Sequence, residues 1–127
     1  MNITQEILSD IVVYNKYAKY IPTKQRRETW EELVTRNKEM HQGKFPQLKE
    51  EIEEIYEMVY KKKVLPSMRS LQFAGKPIDI NNSRIFNCSF LPIDDWRSFS
   101  EVMFLLLSGC GVGYSVQNHH IEKLPEI

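Results

Sequence analysis

The sequence predicts an α/β chain, with a charged helical first half followed by a strand–helix–strand unit whose two strands run parallel. Three observations carry this. Apolar residues recur at spacings of three and four as far as about Lys63. Beyond Lys63 the charge thins and proline, glycine and short alternating stretches take over. The second half places one apolar helical run between two strand-like segments, the order of a right-handed βαβ crossover. The expected division is therefore a helical region over 1–63 and an α/β region over 64–127, as two layers of one structure.

The first helix sets Ile3, Ile7, Ile11 and Tyr14 on one face, with Leu8 and Val12 beside it. Pro22 ends any helix running through Tyr20, because it lacks an amide proton and disfavours helix before it. Thr23 reads as the N-cap of the next helix, whose apolar face is Trp30, Leu33, Val34 and Met40 and whose stop is Gly43. A third helix follows Pro46, with Leu48, Ile52, Ile55 and Val59 inward and its glutamates mostly outward. Lys61, Lys62 and Lys63 crowd its C-terminal end, where cations suit the helix dipole.

The stretch from Val64 to Ser83 reads as extended and turn-rich, with Pro66, Gly75 and Pro77. RIFNCSFL, residues 84–91, has the alternation of a strand. Asp94 is expected to cap a fourth helix, with Asp95 in its first turn. That helix, WRSFSEVMFLLL, is apolar on all sides, which predicts burial. GCGVG breaks it, and VGYSVQ forms the second strand. Two parallel strands cannot make a sheet covered on both faces, so the physics predicts an incomplete fold.

Composition excludes several classes of function. The 17 basic residues balance the 17 acidic ones, which leaves no overall field to hold nucleic acid or an acidic membrane. The longest apolar run, Val102 to Leu107, is far too short to span a bilayer. MNITQEILSD lacks the basic and apolar regions of a secretory signal, so a cytoplasmic protein is expected. Two cysteines are too few for a disulfide framework, and in a reducing compartment both rest as thiols.

Four places could carry chemistry. Cys88 lies in the first strand between Asn87 and Ser89. A cysteine there is most often a small buried hydrophobe; the alternative is a redox thiol, which needs access and a partner sulfur. GCGVG, residues 109–113, permits a tight turn or close approach to the backbone. It follows a helix and precedes a strand, the reverse of a dinucleotide fingerprint, so by itself it reads as a helix stop with Cys110 packed inside. Ser67, Arg69 and Ser70 form a polar loop cluster that is either a solvated turn or a phosphate contact. His119 and His120 are adjacent, and in a strand they would face opposite ways and share no metal.

Taken in order, a Pro-Ser loop, an Asn-Cys strand and a GxGVG turn resemble the start of the catalytic chain of ribonucleotide reductases. RRETWEE, LPSMRSLQFAG, FNCSFLP and GCGVGYSVQNHHIEKLP are similar to the N-terminal portion of the monomeric, adenosylcobalamin-dependent (class II) ribonucleoside-triphosphate reductases. The resemblance runs from about Tyr20 to the end of the sequence. It implies N-terminal helices leading into the first βαβ part of a ten-stranded α/β barrel. It also implies radical replacement of the ribose 2′-hydroxyl by hydrogen.

By the same resemblance, Cys88 matches the first of two cysteines that form a disulfide as substrate is reduced. Asn87, just before it, matches a position that touches substrate. Ser67 matches the loop hydroxyl on the substrate phosphates, and Gly111 the glycine whose backbone packs on the nucleotide. Cys110 takes no redox role. The second redox cysteine, the thiyl-radical cysteine, the C-terminal relay pair and most of the cobalamin surface belong to a later segment of such enzymes. The implied partners are a ribonucleotide, that missing C-terminal segment and a thioredoxin-type reductant, with adenosylcobalamin bound only by the complete enzyme. The alternative to a reductase piece is a non-catalytic binding module or remnant.

Overall fold

The structure, a computed structural model, describes residues 3–126. The described chain is a mixed helix and strand protein that divides into two compact units, the first ending at Lys76 and the second beginning at Pro77. The division falls after Lys76, not at the change of composition near Lys63. The reason is that residues beyond Lys63 supply core to the first unit: Leu71 is fully buried against Val13, Leu33, Val34, Tyr56 and Val59, with Met68 packed alongside.

In the first unit, α1 (Ile3–Lys16), α2 (Trp30–Lys44) and α3 (Lys49–Tyr60) are the three expected helices. Between α1 and α2 the chain makes a small antiparallel pair, β1 (Tyr20–Ile21) with β2 (Arg26–Arg27), around a 3-10 turn that starts at Pro22. The helix start expected at Thr23 is therefore at Thr29 instead. The Thr29 hydroxyl accepts from the Glu32 amide at 3.3 Å, and the Glu32 carboxylate accepts from the Thr29 amide at 2.9 Å. This reciprocal capping box contributes about 1 kcal/mol and wins over Thr23, which lies inside the turn. Arg26 and Lys24 also donate to Glu32, and together these hydrogen bonds hold its carboxyl well below the usual carboxylate range.

One further expectation fails, and one helix face stays uncovered. The apolar face of α1 is largely exposed at Ile3, Ile7, Leu8, Ile11 and Tyr14, and only Val13 of that helix is buried. The stretch expected to be extended contains the short helix α4 (Met68–Phe73), capped by Ser67, and then α5 (Lys76–Ile80), of which all but Lys76 belongs to the second unit. Leu71 explains the first of these, because a helical turn is what carries it into the core.

In the second unit, β3 (Cys88–Pro92) pairs in parallel with β4 (Gly111–Ser115), and α6 (Ser98–Leu107) connects them. The strand–helix–strand reading holds. The capping of the helix differs: the Asp95 carboxylate accepts from the Arg97 amide at 2.8 Å, in a turn ahead of α6, and Asp94 plays no such part. The expected burial of α6 fails as well. Phe99, Met103, Phe104, Leu106 and Leu107 are exposed, Leu107 by 82%. Two strands offer too narrow a surface for a helix that is apolar on every side. α7 (Asn118–Ile121) then places His119 and His120 on a helix beyond the second strand.

Candidate functional site

The candidate residues of the second unit sit where β3 and β4 begin. Cys88 and Gly111 are paired across the parallel ladder, followed by Ser89 with Val112 and Phe90 with Gly113. Side chains alternate along a strand, so Cys88 and Phe90 share one face of the pair with positions 111 and 113. Both positions are glycine, so β4 offers no side chain beside the Cys88 thiol. The opposite face carries Tyr114, which with Val116, Phe99, Val102 and Met103 lines a concavity of about 340 Å³ against α6. The thiol therefore lies on the face away from α6, and it is exposed. A buried hydrophobe, the default for a strand cysteine, is not what this residue is.

Gly111 is bare for a reason internal to the fold. Its amide donates to the Asn87 carbonyl at 2.9 Å, and a β-carbon at position 111 would stand 2.6 Å from that same oxygen. No side chain fits without moving backbone. The requirement for glycine thus exists before any nucleotide is considered. Ser89 adds a hydroxyl donated to the Gly111 carbonyl at 3.3 Å. Asn87 and Gly111 are themselves exposed.

Cys110 is buried, and its thiol donates to the Ser83 carbonyl at 3.2 Å. Ser83 belongs to the short 3-10 segment Asn82–Ile85, which leads into Asn87 and Cys88. Gly109 supplies the left-handed turn that ends α6, with φ +89. Cys110 is accordingly a packed, hydrogen-bonded residue beside the ladder.

Ser67 belongs to the first unit, where it is exposed at the start of α4 and its hydroxyl accepts from the Ser70 amide at 3.4 Å. Beneath it lies a polar network that the sequence reading missed. The Asn37 amide donates to the Ser70 hydroxyl at 2.8 Å, and the Tyr56 hydroxyl donates to the Asn37 carbonyl oxygen at 2.5 Å. All three residues are buried. Burial, and then the neighbouring Tyr60, push the Tyr56 phenol up to about 12, so it stays a neutral donor. A signal was present in the sequence: Asn37 stands three residues after Val34 and four after Leu33, within the apolar stripe of α2.

The other end of α4 is held by charge. Arg36 and Lys19 both donate to the Ala74 carbonyl, at 2.9 and 2.7 Å. Glu28 accepts two hydrogen bonds from Arg36 and one from the Lys19 amide. Burial raises the Glu28 pKa, but these hydrogen bonds outweigh it and leave the group below its ordinary value.

Among the described residues, no group of three or more His, Cys, Asp or Glu side chains is placed to hold a metal ion. His119 and His120 lie with ring centroids 3.9 Å apart, and the His120 ring meets the Ser115 hydroxyl at 3.0 Å. No described helix is long and apolar enough to cross a membrane.

The parallel ladder and the helical unit belong to a fold already seen in a solved structure. The fold matches the crystal structure of a B12-dependent (class II) ribonucleotide reductase with a TM-score of 0.78 and 26% identity, over 91% of this chain and 21% of that one. Curated relatives agree. The adenosylcobalamin-dependent ribonucleoside-triphosphate reductases of Lactobacillus helveticus and Lactobacillus leichmannii are each 27% identical over 91% of this chain. That of Lacticaseibacillus paracasei is 26% identical over the same share. The chain spans about a fifth of the length of these relatives. No protein-family model matches it. In sequence and in fold the chain is thus a relative of one part of these reductases, as its motifs indicated.

Proposed function

We propose that this chain is the N-terminal part of an adenosylcobalamin-dependent ribonucleotide reductase, active only when a further polypeptide segment completes it. The observation that carries the reading is the exposed Cys88 thiol beside a strand that presents glycine both at the paired position, 111, and at the next position on that face, 113. The α/β unit of β3, α6 and β4 is read as the opening of the ten-stranded barrel. The exposed apolar surface of α6 supports this, because such a surface calls for cover that two strands do not supply. The setting is the cytoplasm, as part of deoxyribonucleotide supply for DNA synthesis.

In this reading Cys88 is one of two thiols that reduce the ribose. The C2′–O bond breaks and the oxygen leaves as water; a C2′–H bond forms. Each thiol gives up one electron and one proton, and the two sulfurs join as a disulfide. One thiol hydrogen ends on C2′ and the other leaves in the water. The second thiol comes from the completing segment, and a thioredoxin-type dithiol returns the disulfide to the reduced pair. Ser67 contributes its hydroxyl to the substrate phosphates. Asn87 touches the substrate, and Gly111 leaves backbone bare for the nucleotide to approach.

Adenosylcobalamin supplies radical initiation when bound. A concavity of about 440 Å³ in the first unit and one of about 340 Å³ in the second are each lined by a few side chains and are smaller than a corrinoid with its adenosyl group. The completing segment would hold it.

Co-expression with the remaining reductase segment tests the reading. Cobalamin-dependent reduction should appear with the pair and disappear for Cys88→Ser under thioredoxin-type turnover. Full multiple turnover by Cys88→Ser would remove the role assigned to that thiol.

A further inference from the structure

We infer that Asn37 and Tyr56 are positioning residues for Ser67, acting through Ser70 from the interior of the helical unit. This rests on the reading of Ser67 as the phosphate contact and adds to it the device that aims the hydroxyl.

The observations form one connected chain. Ser67 is at the surface, yet the residue three positions on, Ser70, is buried. The Ser70 amide donates to the Ser67 hydroxyl, and the Leu71 amide donates to the Ser67 carbonyl at 3.0 Å. The Ser70 hydroxyl is in turn the acceptor for Asn37, and Asn37 is the acceptor for Tyr56. Asn37 is fully buried, so both ends of its amide are committed and its rotamer is fixed.

A six-residue helix has little stability of its own. Its direction is set by what grips it. Here α2 grips it at both ends from adjacent residues: Asn37 reaches Ser70 in the first turn, and Arg36 reaches the Ala74 carbonyl at the last. A buried polar chain costs desolvation that an apolar core would not, so its presence under a surface serine points to orientation rather than to stability. A misplacement of even about 1 Å at a binding group weakens its contact severely.

The test is a double-mutant cycle on KM in the reductase assembled from this chain and its completing segment. Asn37→Leu with Tyr56→Phe replaces two members of the network by apolar groups of similar size and leaves the Ser70 hydroxyl its 3.5 Å contact with the His41 ring. It is expected to raise the ribonucleotide KM about tenfold while moving kcat much less. Ser67→Ala is expected to do the same, and the network change made on top of Ser67→Ala should add nothing. Tyr56→Phe alone keeps the Asn37–Ser70 bond but frees the far end of the Asn37 amide, and should raise KM by a smaller factor than the double variant. Where the double variant does not fold, Ser70→Ala removes one buried atom and repeats the cycle.

A second readout needs no activity. In the 127-residue chain, amide hydrogen exchange over residues 67–71 should quicken in the network variant, with α2 and α3 unchanged. If network and Ser67 effects on KM multiply in full, or exchange over 67–71 is unmoved, the positioning role is overturned and the phosphate reading of Ser67 survives. If Ser67→Ala leaves KM untouched, the phosphate reading fails and takes the positioning role with it.

Discussion

Gly111 and Asn87 are locked together across two strands: the Gly111 amide donates to the Asn87 carbonyl at 2.9 Å, and that oxygen fills the space a β-carbon would need. The contact fixes the backbone one residue before Cys88. It ties the position of the thiol to a glycine 23 residues further along the chain.

Gly111→Ala should therefore destabilise the second unit by about 1–3 kcal/mol, the cost of forcing backbone apart in a close-packed contact. Gly113→Ala is the control. A β-carbon there meets the Ser89 carbonyl at 3.8 Å, an ordinary contact, so its midpoint in urea should stay near wild type. Equal midpoints for the two variants would show that the 111–87 contact relaxes freely.

Stability should fall on acidification in two stages. Burial, with Lys44 nearby, lowers the His41 pKa below its ordinary 6.5, and the Arg36 and Lys19 contacts lower that of Glu28 below 4.5 despite burial. In each case the unfolded chain takes up the proton at a higher pH than the folded one, so stability is full above the ordinary value and is lost as pH drops past it. Thermal melts should show a first decline below about pH 6.5 and a second below about pH 4.5. His41→Gln should flatten the first limb alone. A melt temperature that holds steady from pH 7 to 5 would contradict this, since the unfolded chain takes up the His41 proton near its ordinary value of about 6.5.

The bare apolar surface of α6 should make the isolated chain self-associate. Phe104 is 67% exposed and Leu107 82%. Exposed apolar groups on a helix beside a two-stranded sheet are the kind of surface that binds another copy. Phe104→Glu with Leu107→Lys should reduce association in sedimentation velocity. The same pair should impair assembly with the completing segment. A wild-type chain that sediments as a single monomeric species would argue that α6 needs no cover.

Much of the architecture was readable from residue order, and the elements that escaped did so for identifiable reasons. Helices α1 to α3 and the β3–α6–β4 unit follow from periodicity and from the breaks at Pro22, Pro46 and the 109–113 glycines. The α2 start was misplaced at Thr23 because two threonines compete locally, and only Glu32, reaching back to the Thr29 amide, decides between them. Helix α4 was missed because six residues with one buried leucine carry no periodic signal.

For the candidate site, the family resemblance singled out Ser67, Asn87, Cys88 and Gly111, because a motif is a property of residue order. It could not say that the thiol is exposed, that Gly111 is bare because a carbonyl occupies its place, or that Ser67 stands above a buried Asn37. Those facts depend on which backbone comes within 3 Å of which, and residues 19 to 33 positions apart in the chain meet only after folding. Periodicity reports which face of an element is apolar; packing alone decides whether anything covers that face. Helix α6 follows the sequence pattern faithfully and its burial was still predicted wrongly for that reason, and the uncovered face of α1 has the same cause.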